Sequence, residues 1–428
     1  MTNKDVVSVA TRIEVAKRLK VAYARASKAE KGEILDRFME VTRLSRSSAR
    51  RYMTDPNLGV RNVFKMDRRH HKPTKYSLAS RKALVRLWKI MGMPCGKYMA
   101  ASVDEWICSL TAHGELPDSI PGWNEDIANE IRAMSPATID RYLKEERDKL
   151  ALRGISTTKG GSVLKSSIRI RTSNREIEQQ VGFLECDTVA HCGPVAKGEF
   201  ARTLTSTDIA SGWSELVGLR NNAAKHMREG LDELERRFPF HIEGMDCDNG
   251  SEFINHTVID WAASRGVFFT RSRPYQKNDQ ATVESKNNHL VRKYAFYYRY
   301  DTPEELAILN RLYKALCDRH NFFTPTRKPI SWEETGTGRP KRIYDNPKTP
   351  YQRLKEARCL SLAQYKELEE RYRKLNPADL TREILTAQNL LIDRAKNKTL
   401  TLQQELALKE EKRKQNQQGG IRLRAQKT

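Results

Sequence analysis

GFLECDTVAH (residues 182–191) is a short run of alternating and β-branched residues with a carboxylate, Asp187, in its middle. A charged side chain is disfavoured mid-strand unless it has a partner or a cation. A second stretch repeats the theme. In MDCDNGSEF (residues 245–253), Asp248 closes a predicted strand and enters a turn through Asn249 and Gly250. That places its carboxylate at the C-terminal edge of the strand, where open α/β sheets bind their ligands. Between the two lie FARTLTSTDI (200–209) and GWSELVGL (212–219), which with the first run predict a three-strand antiparallel meander. A helix over 222–238, a strand over 241–248, a helix over 254–266 and a strand over 267–272 follow. Helices resume from Thr282, and Glu284 opens one in QATVESKNNHLVRKY (280–294).

Upstream the pattern is helical. Ile34, Leu35, Phe38 and Met39 recur at helical spacing, and Ser45 is suited to cap a second helix, RSSARRYM (46–53), which carries Arg46, Arg50 and Arg51. Helix, short turn and basic helix make a helix-turn-helix pattern over residues 1–57. LSRSSARRYM (44–53) aligns without gaps with MSPATIDRYL (134–143), so a second helix-turn-helix domain is expected over 75–153, with Ser135 as cap and Arg141 matching Arg51. Residues 154–178 read as a basic Gly/Ser linker, and 179–328 as the α/β core. A small β-rich module over 329–359 and C-terminal helices with a flexible basic tail over 360–428 complete the chain.

The 428 residues suggest three or four domains at about 100–200 residues each. A net charge of +23 favours a polyanionic partner, nucleic acid or an anionic membrane surface. The membrane is the weaker choice, since no run approaches the ~20 apolar residues of a bilayer span. The first twenty residues hold no apolar stretch typical of a secretion signal. Seven scattered cysteines without a Cys-x-x-Cys pair point to reduced thiols in a cytoplasmic protein. Cys186, His191 and Cys192 lack a fourth ligand for structural zinc.

The core resembles the retroviral-integrase superfamily of transposases found in bacterial insertion sequences. The resemblance runs from about Val181 to Pro329 and rests on four matches in order. These are Asp187 after an apolar strand, the segment from Asp248 to Phe253, the segment Ser272-Arg-Pro-Tyr-x-x-Asn278, and Glu284 with thirty-five residues between it and Asp248. It implies an RNase H-like fold with a mixed five-stranded sheet. It also implies that Asp187, Asp248 and Glu284 are the catalytic, metal-binding triad, with Asn249, Gly250, Pro274 and Asn278 in the active-site loops. Where the family often has a basic residue seven positions after the glutamate, this chain has Val291, with Arg292 next to it. The retroviral His/Cys zinc domain is missing.

Such a triad suits two Mg²⁺ ions, with Mn²⁺ as a substitute, because hard cations take carboxylate oxygens. Asp187 would bridge the ions, with Asp248 and Glu284 each holding one. Water would cut the 3′ end of a mobile element, and the freed hydroxyl would join target DNA. Glu185 and Asp246 lie two residues before the triad aspartates, on the same strand faces, and are alternative ligands. Glu252 and Asp208 read as a helix-start carboxylate and a turn residue. Arg46, Arg50, Arg51, Arg141, Lys277, Lys286 and Arg292 are the expected DNA contacts, with Arg271 and Arg273 as further candidates. Joining two ends implies a dimer or larger assembly on DNA, in the bacterial nucleoid. A nuclease of the same fold without strand transfer, or a non-catalytic regulator, are the rival readings.

Overall fold

The computed structural model describes residues 7–56, 58, 75–149, 180–248, 250–271, 281–333 and 341–425. The expected linker 154–178 and the residues Asn249, Arg273, Pro274, Lys277 and Asn278 lie outside the described residues. The chain divides into two compact units, Met1–Lys75 and Tyr76–Thr428.

The first unit is three helices, α1 (Val9–Arg25), α2 (Lys28–Thr42) and α3 (Arg46–Thr54). Serine starts each one. Ser8, Ser27 and Ser45 accept hydrogen bonds from the first-turn N–H groups, and Ser27 and Glu30 cap each other reciprocally. Helix α2 stops because Arg43 turns left-handed, with φ 55°. Three residues later α3 begins. Ala16, Tyr23, Leu35, Phe38, Ala49 and Met53 form a core of their own. The arginines of α3 stay outside it, exposed.

The second unit opens with five helices, α4 (Leu78–Ile90), α5 (Gly96–Ala112), α6 (Leu116–Ser119), α7 (Glu125–Arg132) and α8 (Pro136–Lys149). Ser135 caps α8 by accepting from the Thr138 N–H at 3.3 Å, as Ser45 does for α3. Gly96 lets α5 meet α8, since a β-carbon there would lie 2.2 Å from the Pro136 carbonyl oxygen. These helices share one apolar cluster with the sheet that follows. The indole of Trp106 in α5 donates to the Phe323 carbonyl at 2.9 Å.

Strands β1 (Phe183–Ala190), β2 (Arg202–Asp208) and β3 (Ser214–Leu219) form the antiparallel meander. After α9 (Ala224–Arg237) comes β4 (Gly244–Cys247), then α10 (His256–Ser264) and β5 (Phe268–Arg271). The order is β3-β2-β1-β4-β5, with β4 parallel to both β1 and β5. This is the mixed five-stranded sheet expected from the sequence.

Helix α11 (Ala281–Lys286) runs into a π-helical segment, Asn287–Arg292, and a short α12 (Lys293–Ala295). Helix α13 (Pro303–Phe323) then covers β3, which is buried along its whole length. The Asn321 side-chain amide pairs with the Ser214 backbone in both directions, at 2.9 Å each. A two-stranded ribbon, β6 (Pro329–Glu333) with β7 (Lys341–Tyr344), and α14 (Pro350–Ala357) follow. Helix α15 (Leu362–Lys374) leads to the 49-residue α16 (Pro377–Ala425). Ile384, Ala387, Leu391 and Ala395 of α16, spaced three and four apart, pack with Leu309, Leu312 and Leu316 of α13. Truncating one such leucine to alanine costs about 2–5 kcal/mol. Helix α16 continues through Ala425, so most of the stretch expected as a flexible basic tail is helical.

Candidate active site

The two aspartates arise from adjacent parallel strands. Cys186 of β1 is in register with Cys247 of β4, so Asp187, midway along β1, and Asp248, just past the end of β4, follow side by side. Burial and the neighbouring Asp248 charge push the Asp187 acid up to about 7, with Glu252 and Glu284 adding to the effect. Asp248 is raised too, by burial first and by Glu252, against the Gly250 N–H that its Oδ1 accepts at 2.8 Å. Gly250 is needed for space. A β-carbon there would lie 2.7 Å from Glu252 Oε2 and 2.8 Å from Asp248 Oδ1.

Glu252 does not start a helix as expected: it lies in a turn, and α10 begins at His256 under an Asn255 cap. The Glu252 Oε1 accepts from Thr188 Oγ1 at 2.9 Å and from Arg202 at 3.0 Å, which brings a fourth carboxylate beside the two aspartates. Asp208 is the turn residue expected, accepting from the Ser211 N–H at 2.6 Å. Asp246 is turned to β5, where Thr270 Oγ1 donates to it at 2.7 Å.

Glu185 has a separate position. Its Oε2 accepts the backbone N–H groups of both Thr282 and Val283, at 3.0 Å each, and it is 4% exposed. It therefore caps the start of α11 and ties the helix carrying Glu284 to the strand carrying Asp187. Glu284 itself is solvent-exposed. One turn on, Asn287 donates through Nδ2 to Asp187 Oδ2 at 2.6 Å. Its Oδ1 is buried without a partner. The polar residues of QATVESKNNH gave no sign in the sequence of which one would face β1.

The basic residues expected near the site are placed differently. Lys286 is 8% exposed, with Nζ 2.7 Å from His320 Nε2, and burial lowers its ammonium to about 7. It faces the core, which contradicts its expected contact with phosphate. Arg271 is likewise buried. The π-helical segment accounts for Arg292: its i→i+5 pattern adds one residue to a turn. Arg292, eight residues after Glu284, thus stands about where the seventh would on an unbroken helix. It is half-buried, and its guanidinium donates to the Ala190 carbonyl at 3.1 Å. Arg46, exposed, is paired with Asp36, while Arg50, Arg51 and Arg141 are exposed.

The donor set is suited to a hard divalent cation. Half-buried carboxylates close together raise the pKa of their neighbours, and positive charge would relieve that. Among the described residues no three His, Cys, Asp or Glu side chains already converge as a ligand group.

Residues 178–277 match the family model described as the integrase core domain. A protein from Sinorhizobium fredii (strain NBRC 101917 / NGR234), described as uncharacterized protein y4rM, is 33% identical over 353 residues, covering 81% of this chain and 96% of its own length. The chain belongs to the integrase-core family. The crystal structure of the catalytic core domain of BIV integrase is similar at 20% identity and a TM-score of 0.23, over 27% of this chain and 70% of that one. The family match makes the chain a polynucleotidyl-transferase-type enzyme with a DNA substrate. Its matched segment spans both aspartates and stops before Glu284. No described helix is long and apolar enough to cross a membrane.

Proposed function

We propose that this integrase-core protein is a DNA transposase that cleaves the 3′ ends of its mobile element and joins them to target DNA. The observation that carries the reading is the pair of half-buried aspartates that follow in-register residues of two parallel strands, with the helix that carries Glu284 tied to β1 through Glu185. Asp187, Asp248 and Glu284 would hold two Mg²⁺ ions, or Mn²⁺. When bound, such ions supply Lewis-acid activation of the attacking oxygen and neutralise charge on the leaving one.

The chain's own residues do the positioning. Asn287 and the Thr188 N–H fix the two Asp187 oxygens from opposite sides, at 2.6 and 2.7 Å. The Gly250 N–H fixes Asp248, and Arg202 with Thr188 fixes Glu252 beside the aspartates. Asn249, Pro274 and Asn278 would shape the approach of DNA. Arg50 and Arg51 of α3, with Arg46 beside them, would dock the element end, and Arg141 would add a second contact. Two copies would assemble to bring both ends together.

The test is a strand-transfer assay with purified protein, Mg²⁺ or Mn²⁺ and labelled element-end DNA. Joined products that vanish in Asp248→Asn support the transposase. Cleavage without joining supports a nuclease of the same fold, and binding alone supports a regulator.

A further inference from the structure

Beyond the acids, the run from α11 ends on an unusual backbone. Phe296 has φ 58° and ψ −156°, a region that is strained for a bulky residue and persists only where the surroundings impose it. Those surroundings are visible. The Phe296 N–H donates to the Arg292 carbonyl, its ring meets that of Tyr298 at 5.7 Å, and the buried Tyr300 hydroxyl donates to the Ala295 carbonyl at 2.6 Å. Arg299 pairs with Cys192 in an isolated bridge that anchors the far side.

The strained turn puts one ring outward. Tyr297 is 44% exposed between half-buried neighbours, Phe296 and Tyr298. The Arg292 guanidinium lies 4.9 Å from its ring centroid, and among the described residues its one hydrogen bond is to Ala190. Ala190 is three residues beyond Asp187 on β1, about 10 Å along the strand. Lys293 is exposed alongside.

We propose that Tyr297, with Arg292 against its ring, is a stacking platform for an unpaired DNA base beside the active site. The proposal rests on the DNA-processing reading above and adds a contact to it. A rigid, exposed aromatic flanked by guanidinium is the chemistry that holds a nucleobase by its π-face and the adjoining phosphate by charge. A paired base has both faces covered by its neighbours, so the platform selects nucleotides freed from the duplex. Cutting one strand at an end leaves such nucleotides on the other. The chain's net charge of +23 favours a nucleic acid over a protein as the occupant.

The experiment uses the full chain in EDTA, so that nothing is cleaved. Its probes are a mixed-sequence duplex with a short 5′ overhang carrying 2-aminopurine, and the same duplex blunt. The expected result is quenching of the overhang fluorophore and tighter binding of the overhang than of the blunt duplex. Tyr297→Ala should abolish the quench and reduce the overhang preference by roughly ten-fold, within the range for one stacked base. Tyr297→Phe should retain both. An unchanged quench and overhang-to-blunt ratio in Tyr297→Ala would overturn the proposal, as would equal loss in Tyr297→Phe. An unchanged ratio with dissociation of an oligomer in Tyr297→Ala would assign the ring to a protein interface instead. Wild-type protein that binds the overhang duplex without quenching its fluorophore defeats the platform alone, whereas failure to bind either duplex defeats the DNA reading itself. The wild-type quench keeps the test decisive even if Tyr297→Ala does not fold.

Discussion

The arginines of α3 and the basic residues after Glu284 come from the same residue types on helices of similar length, yet they stand in opposite environments. Arg46, Arg50 and Arg51 are exposed on a three-helix unit whose core does not use them. Lys286 is sealed against His320, and Arg292 is half-buried against Ala190 and Tyr297. A solvated cation contributes to DNA affinity through phosphate and released counterions. A cation folded into the core acts on the shape of the site. Positive charge near a catalytic motif is therefore not one kind of signal.

That contrast can be broken in four places, from the largest expected effect down. Asp187→Asn or Asp248→Asn should lower metal-dependent cleavage and joining by more than the ~10–100-fold typical of residues that only support ligands. DNA binding should persist, and an assay run side by side with a gel-shift titration separates the two. Glu185→Ala should fall within that supporting range, about 10–100-fold in turnover. Glu185→Gln, whose amide oxygen still accepts from Thr282 and Val283, should recover much of the loss; equal loss in both would refute the tether. Replacing Arg50 and Arg51 together with alanine should weaken duplex binding and flatten its salt dependence by about 0.9 per phosphate contact removed. Affinities measured across a KCl series check this, with turnover at saturating DNA left near wild type. Lys286→Met should change neither affinity nor salt slope, and thermal unfolding should show stability kept or raised, since a buried cation gives way to an apolar isostere. A drop in DNA affinity without unfolding would return Lys286 to the surface role.

Much of the fold was legible because it is local. Alternation and β-branching marked the strands of the meander, and Ser45 and Ser135 marked two helix starts by the capping chemistry of a single side chain. What escaped depends on distance or on register. Glu185 meets its N–H partners nearly a hundred residues away, so strand periodicity could place it on the face of Asp187 but could not give its task. Counting along an ideal helix misplaces Arg292, because the π-helical turn takes an extra residue. Lys286 follows from the same blind spot: its burial depends on His320 and α13, which no window around Glu284 contains. Glu252 read as a helix start because its partner Arg202 sits on another strand. In the second helical region, the capped segment from Ser135 marked α8, but nothing local showed the surface on which α4 to α8 pack.

Helix α16 has a consequence in time. The cluster containing Val189, Leu216 and Leu309 is completed by Ile384, Ala387, Leu391 and Ala395, near the end of the chain. Synthesis proceeds from the N-terminus at about 5–20 residues per second, so the more than two hundred residues from Asp187 to Ala395 take roughly 10–40 s to make. For that interval the aspartates exist without the wall that closes the unit behind them, and chains that stop short never acquire it. The integrase core is thus completed by residues made long after its two aspartates, and its packing is finished only once this part of α16 has emerged.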